Sequence, residues 1–162
     1  MKSKYTVIDL FSGAGGLSQG FLQAGFKVLA GIDFDEAALK TYAHNIVGAK
    51  ALKEDLFQEE IAINNIAKEL GNTSLDVIIA GPPCQGFSLT GSRDINDTRN
   101  KLYLAVVHAV NYFKPKVFLI ENVPGMATLY KGKVKEQIIN TFEDLGYNVS
   151  VTDKPLLAAD YG

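Results

Sequence analysis

Along the whole chain, short apolar runs alternate with stripes of helical period, and few folds accommodate that rhythm. Residues 5–10, 27–32, 49–53, 75–80, 117–120 and 148–156 read as strands. Among the segments between them, Val134, Ile138, Thr141, Phe142 and Leu145 fall at i, i+4, i+7, i+8 and i+11, one apolar stripe on a helix. Leu102, Val106, Ala109, Val110 and Phe113 repeat the spacing. Gly25, Gly71 and Gly146 each follow a stripe, where a helix end takes left-handed backbone angles. Strands alternating with helices predict an α/β fold, a mostly parallel sheet covered on both faces.

Composition narrows the class. The 162 residues, 47% hydrophobic and 21% charged, suit one globular domain. A net charge of -2 excludes a strongly basic body that clamps nucleic acid by charge alone. Residues 1–80 hold seven lysines against ten acids, whereas residues 114–135 hold five lysines and one acid. The second half is therefore the candidate face for a polyanion, although a solvated lysine-rich face is the commoner explanation. No apolar run reaches the roughly 18 residues of a membrane span, and residues 1–4 lead straight into a strand rather than a signal-peptide core. A lone cysteine forbids an internal disulfide. The expectation is a cytoplasmic domain without a membrane partner.

Ligands in open parallel sheets bind beyond the carboxyl ends of the strands, beside the point where strand order reverses. With strand order 3-2-1-4-5, the polar clusters at those ends line one cleft: Asp9 to Gly16, Asp33 to Asp35, Asp55-Leu56, Pro82 to Gln85, and Glu121 to Val123. Gly13, Gly15 and Gly16 let backbone approach a ligand at a helix start, or make a tight strand-to-helix turn and nothing more. Ser18 stands where a dinucleotide fingerprint needs its third glycine, and Gly-Lys-Ser/Thr is absent, which disfavours NAD and ATP. Asp33 could accept from both hydroxyls of a ribose with Phe34 stacked on an adenine, or Asp33 and Asp35 could cap a helix. Cys84 follows two prolines at a strand end and opens a long connection, residues 81–101, of the kind that has a job in compact domains. A lone cysteine is more often an inert buried hydrophobe. Glu121 ends an apolar strand, and the expected partial burial raises its pKa and favours a proton-donating form. A thiol and an acid beside a nucleoside point to covalent group transfer.

These residues also carry a resemblance. Asp9-Leu10-Phe11-Ser12-Gly13-Ala14-Gly15-Gly16 looks like the cofactor motif of the DNA (cytosine-5) methyltransferases. Pro83-Cys84-Gln85 with Phe87-Ser88 resembles their nucleophile motif, Asp97-Thr98-Arg99 a segment they carry after it, and Glu121-Asn122-Val123 their acid motif. The order agrees, and the likeness spans about residues 6–162. It implies a Rossmann-like fold dependent on S-adenosylmethionine, with S-adenosylhomocysteine as product and no metal. It assigns Phe11, Gly13, Ala14, Gly15, Gly16, Asp33, Phe34, Asp55, Leu56 and Pro82 to the cofactor, and Cys84 and Glu121 to catalysis on carbon 6 and ring nitrogen 3 of a flipped cytosine. Gln85, Gly86, Ser88, Asn122 and Val123 fall to the target base, and residues 86–101 to a lid over it.

Leu157-Ala158-Ala159-Asp160-Tyr161-Gly162 resembles the start of a further family motif that continues into Gln-x-Arg-x-Arg, beyond the last residue here. The resemblance therefore implies a final strand and a target-recognition domain that this sequence lacks. It implies methylation of double-stranded DNA, at the nucleoid, in a restriction-modification system, with a complementing C-terminal polypeptide or self-association. A branch of the family with similar motifs methylates tRNA, and a non-catalytic cofactor-binding remnant is the reading from another class.

Overall fold

The computed structural model describes residues 5–83, 102–122, 133–152 and 154–160. In chain order it contains β1 (Thr6–Leu10), α1 (Gly16–Gln23), β2 (Lys27–Asp33), α2 (Glu36–Asn45), β3 (Lys50–Lys53), α3 (Glu59–Leu70), β4 (Val77–Ala80), α4 (Leu102–Phe113), β5 (Val117–Ile120), α5 (Lys133–Asp144) and a 3-10 turn, Ala158–Asp160. The strands form one parallel sheet, as the alternation predicts, in the order β3-β2-β1-β4-β5, which meets the condition under which the polar clusters line one cleft. Strand order reverses between β1 and β4, so the cleft of such a sheet opens above those two strands.

Two apolar layers cover the sheet. Ile8, Leu10, Ala30, Ile32, Ile78 and Ala80 form one core with Ile63 and Ile66 of α3, Val106 and Val110 of α4, and Phe142 of α5. Val7, Val28, Val77 and Ile79 pack on Tyr42 and Ile46, with Leu17 and Phe21 of α1 beside them. In β2 the period of two breaks, because Val28 lies in one layer while Ala30 and Ile32 lie in the other. The register explains it: Val7 pairs with Val28 but Ile8 pairs with Ala30, an irregularity that inserts one residue and flips everything after it. The α4 stripe is buried as its spacing predicts, at Leu102, Val106, Ala109 and Val110. In α5, Phe142 is fully buried and stacks on Phe118 of β5 at 4.3 Å, a contact worth about 2–3 kcal/mol with its burial.

The sixth expected strand is not formed. Residues 148–152 and 154–157 have no regular structure, and among the described residues β5 pairs with β4 alone. Val149 still packs at the edge of the core, but Val151 is 44% exposed and Leu156 72%. Alternating valines give strand propensity, yet a strand exists only with a ladder partner, and the free edge of β5 does not take this segment up. No helix among the described residues is long and apolar enough to cross a membrane.

Candidate functional site

The chain leaves β1 through a run of left-handed backbone. Phe11 has φ 59, Gly13 φ 52 and Gly15 φ 98. Phe11 is the costly member, since a side chain in this region stores on the order of 1–3 kcal/mol and such strain gathers at functional sites. Gly15 is required twice over, because a Cβ there would also lie 2.9 Å from Ile46 Cγ1. Above Gly13 and Gly16, by contrast, a Cβ would meet nothing within 4 Å, so the outer side of the loop is open. Ser12 N donates to Ile32 O at 3.0 Å, and Asn45 Nδ2 donates to Ala14 O at 3.0 Å, tying the loop to β2 and to the end of α2.

Of the two acids that the sequence offered as helix caps, one takes that role. Asp35 is the N-cap of α2, its Oδ1 accepting from Ala37 N at 2.8 Å and Ala38 N at 3.4 Å. Asp33 caps no helix. Its Oδ2 accepts from Gly13 N at 2.8 Å and its Oδ1 from Asp35 N at 2.9 Å, so the buried carboxylate joins the ends of β1 and β2. Each oxygen keeps a lone pair for a further donor. Phe34 beside it leaves its ring 69% exposed, an unused stacking surface. Asp55 is exposed, with Oδ1 accepting from Phe57 N at 3.0 Å, whereas the side chain of Leu56 belongs to the core at 4% exposure. A buried acid with spare lone pairs, an exposed aromatic face and open space above the glycines fit a nucleoside. The Ser12 Oγ, buried without a partner, adds a free donor.

Beneath the loop lies a cluster that the sequence did not disclose. Asp9, only 1% exposed, sits on the α1–α2 side of β1. Its Oδ2 accepts from Ser18 Oγ at 2.7 Å and Ser18 N at 3.2 Å, and Ser18 Oγ is 3.0 Å from Tyr42 Oη. Burial pushes the Asp9 carboxyl up to about 6, against the opposing hydrogen bonds from Ser18. The available signal was an acid inside an otherwise apolar strand, Thr6–Leu10, but its partners lie on two helices and follow only from packing.

At the other side of the switch point, Gly81 N donates to Leu10 O at 3.3 Å and Glu121 N to Ala80 O at 2.8 Å, which brings the ends of β1, β4 and β5 together. A Cβ on Gly81 would lie 3.5 Å from Glu121 Oε2, so the carboxylate leans over the end of β4. Pro82 is buried and Asn122 half-buried. The expected partial burial of Glu121 is corrected: it is exposed. Its strand is apolar in sequence but lies at an open edge, with Val117 55% and Leu119 41% exposed, and gives no dry surroundings. Cys84, Gln85, Gly86, Ser88 and Val123, and the expected lid at 86–101, lie outside the described residues.

Known proteins resemble this chain in sequence and in fold. The sequence model of the C-5 cytosine-specific DNA methylase family matches residues 5–162. The type II methyltransferase M1.HphI of Haemophilus parahaemolyticus is 40% identical over 97% of this chain, and M.AgeI of Thalassovita gelatinovora 42% identical over 96%. The chain spans only about two fifths of their length, 42% and 36%. It spans 66% of M.AquIA from Picosynechococcus, at 34% identity. Among solved structures, one described as a DNA modification methyltransferase encoded within an E. coli prophage superposes with a TM-score of 0.72 and 37% identity, over 87% of this chain and 38% of that one. A Spodoptera frugiperda DNMT2 variant shares the fold at a TM-score of 0.63 and 24% identity, over 88% of this chain and 41% of its own.

Proposed function

This chain belongs to the C-5 cytosine-specific DNA methylase family, and from that membership we propose that it forms the cofactor-binding and catalytic part of a DNA (cytosine-5) methyltransferase of a type II restriction-modification system. The observation that carries the reading is the joint placement, on one carboxyl edge, of the glycine loop with Asp33 and Phe34 on one side of the switch point and Glu121 on the other.

S-adenosylmethionine, when bound, supplies an electrophilic methyl group on a positively charged sulfur. Phe11 and residues 13–16 border its methionine end, Asp33 accepts from the ribose hydroxyls through its spare lone pairs, and Phe34 stacks on the adenine. Asp55 and the backbone of Leu56 meet the adenine edge. On the other side, the Cys84 thiolate adds to carbon 6 of a cytosine turned out of the duplex, since the atoms attacked are stacked inside DNA. Glu121 holds ring nitrogen 3 and stabilises the electron-rich ring, so that carbon 5 becomes the nucleophile and would take the methyl, with S-adenosylhomocysteine as the leaving thioether. Loss of the carbon 5 proton to a base and expulsion of the sulfur restore the aromatic ring and the free thiolate. Pro82 borders the cofactor, and Gln85, Gly86, Ser88, Asn122 and Val123 shape the base pocket around these two groups.

Because the chain spans about two fifths of M1.HphI and M.AgeI, methyl transfer calls for the portion of those relatives that it does not span, joined to it or supplied as a second polypeptide. Parallel assays with tritiated S-adenosylmethionine on duplex DNA and on tRNA, with that portion present, test the reading. Label in the carbon 5 position of DNA cytosine supports it, and label confined to tRNA would replace the substrate.

A further inference from the structure

The Asp9 cluster has no part in the chemistry above, yet its construction is hard to explain by folding alone. Asp9 Oδ1 is buried with no hydrogen-bond partner. Neutral side chains could accept from Ser18 without bringing a charge into this layer, and a buried carboxylate that lacks a cation is costly. The hydrogen bonds form a directed chain. Tyr42 remains protonated, its hydroxyl pushed up to about 12 by burial, and can donate to Ser18 Oγ, which donates to Asp9 Oδ2. The chain links α2, α1 and β1 directly below the loop. It is set rigidly, because the Tyr42 ring crosses β2 where a Cβ on Gly31 would lie 2.2 Å from it.

The other charged groups sharpen the picture. From β2, Asp33 faces Asp9 and opposes its ionisation. From α2, Tyr42 faces it, while Glu36, Lys40 and His44 of that helix are exposed. Neither α1 nor β4 brings a titratable side chain. Two carboxylates thus flank the glycine loop with no cation between them among the described residues, and such a field favours a positively charged ligand.

We propose that Asp9, acting through Ser18 and Tyr42, is a positioning residue of the glycine loop, and that its buried charge makes the loop prefer the sulfonium cofactor to the uncharged thioether product. The proposal rests on the S-adenosylmethionine reading. The two nucleosides differ only in a methyl group and its positive charge, so every other interaction cancels in the comparison. Protonating Asp9 removes the preference, and binding of the cation drives the proton off.

Calorimetric titration of the chain with S-adenosylmethionine and S-adenosylhomocysteine from pH 5 to 7.5 tests this. Affinity for the sulfonium is expected to rise about tenfold across the range and that for the thioether less than about twofold. Asp9→Asn should flatten the first curve. Tyr42→Phe, which keeps the core ring and removes the donor to Ser18, should move its midpoint to higher pH. Parallel curves for the two nucleosides, a slope that survives Asp9→Asn, or an unmoved midpoint in Tyr42→Phe would overturn the proposal while leaving the cofactor reading intact. Failure of the wild-type chain to bind either nucleoside at any pH would overturn both.

Discussion

Asp9 is only 1% exposed, and its carboxyl, raised from 3.8 to about 6, ties the stability of the fold to pH. The folded state holds its proton more tightly than the unfolded chain, so Asp9 contributes most below pH about 4. That contribution falls by about 3 kcal/mol as pH rises to about 6. Asp9→Asn removes the titration. Urea unfolding of the two proteins between pH 4 and pH 8 is expected to show the variant gaining on the wild type across that window, and parallel stability curves would contradict the assignment. Phe34 behaves oppositely, since its exposed ring supports nothing in the fold. Phe34→Ala should leave the melting temperature unchanged and weaken S-adenosylmethionine binding roughly tenfold or more, the usual loss of one base–aromatic stack. The place of Asp33 and Phe34 at the end of β2 was legible in the sequence because a strand's end is marked by the close of its apolar run. Ser18 and Tyr42 were not, because their meeting with Asp9 depends on how two helices pack.

At the scale of elements, the junction of β2 and α2 holds the proposed cofactor side together, and its residues separate fold from candidate site. Asp35 caps α2, while its own N–H fixes Asp33 Oδ1. Asp35→Ala should cost about 1 kcal/mol in chemical denaturation and leave nucleoside affinity nearly unchanged, because the backbone N–H that orients Asp33 survives the substitution. Gly31→Ala should be far worse. A methyl 2.2 Å from the Tyr42 ring forces α2 away from the sheet, at a cost of about 3 kcal/mol or more. Soluble, fully stable Gly31→Ala protein would show that the layer is looser than described. Five strands were legible from apolar runs, whereas their order entered only as a condition for the cleft, since an apolar run does not name its neighbour in the sheet. Residues 148–156 were misread because Val149 and Val151 alternate as in a strand, whereas a strand also needs a partner that no local pattern reveals. The exposure of Glu121 has the same origin: an apolar run does not say whether its strand is central or at an edge.

For the molecule as a whole, under the proposed function, the balance of charge and the distribution of groups both argue that the grip on DNA does not come from this chain. The net charge is -2, and Asp9, Asp33 and Asp55 lie on or just after β1, β2 and β3, the proposed cofactor side of the sheet. Phosphate contacts dominate protein–DNA affinity and need arrayed lysine or arginine. A surface of this balance can host the chemistry while contributing little to binding. The cofactor and the duplex should therefore be separable. The chain alone is expected to bind S-adenosylmethionine yet show negligible methyl transfer, and adding in trans the portion of M1.HphI-like relatives that it does not span should bring turnover. In that reconstituted enzyme Cys84→Ala should lower the rate by roughly a thousandfold or more with cofactor affinity preserved, as expected when a nucleophile is removed from a unit that acts together. Filter-binding of tritiated methyl groups on duplex DNA reads both results. Robust turnover by the 162 residues alone would mean that the catalytic edge also supplies the grip, and that the five lysines of residues 114–135 are a DNA face rather than a solvated one.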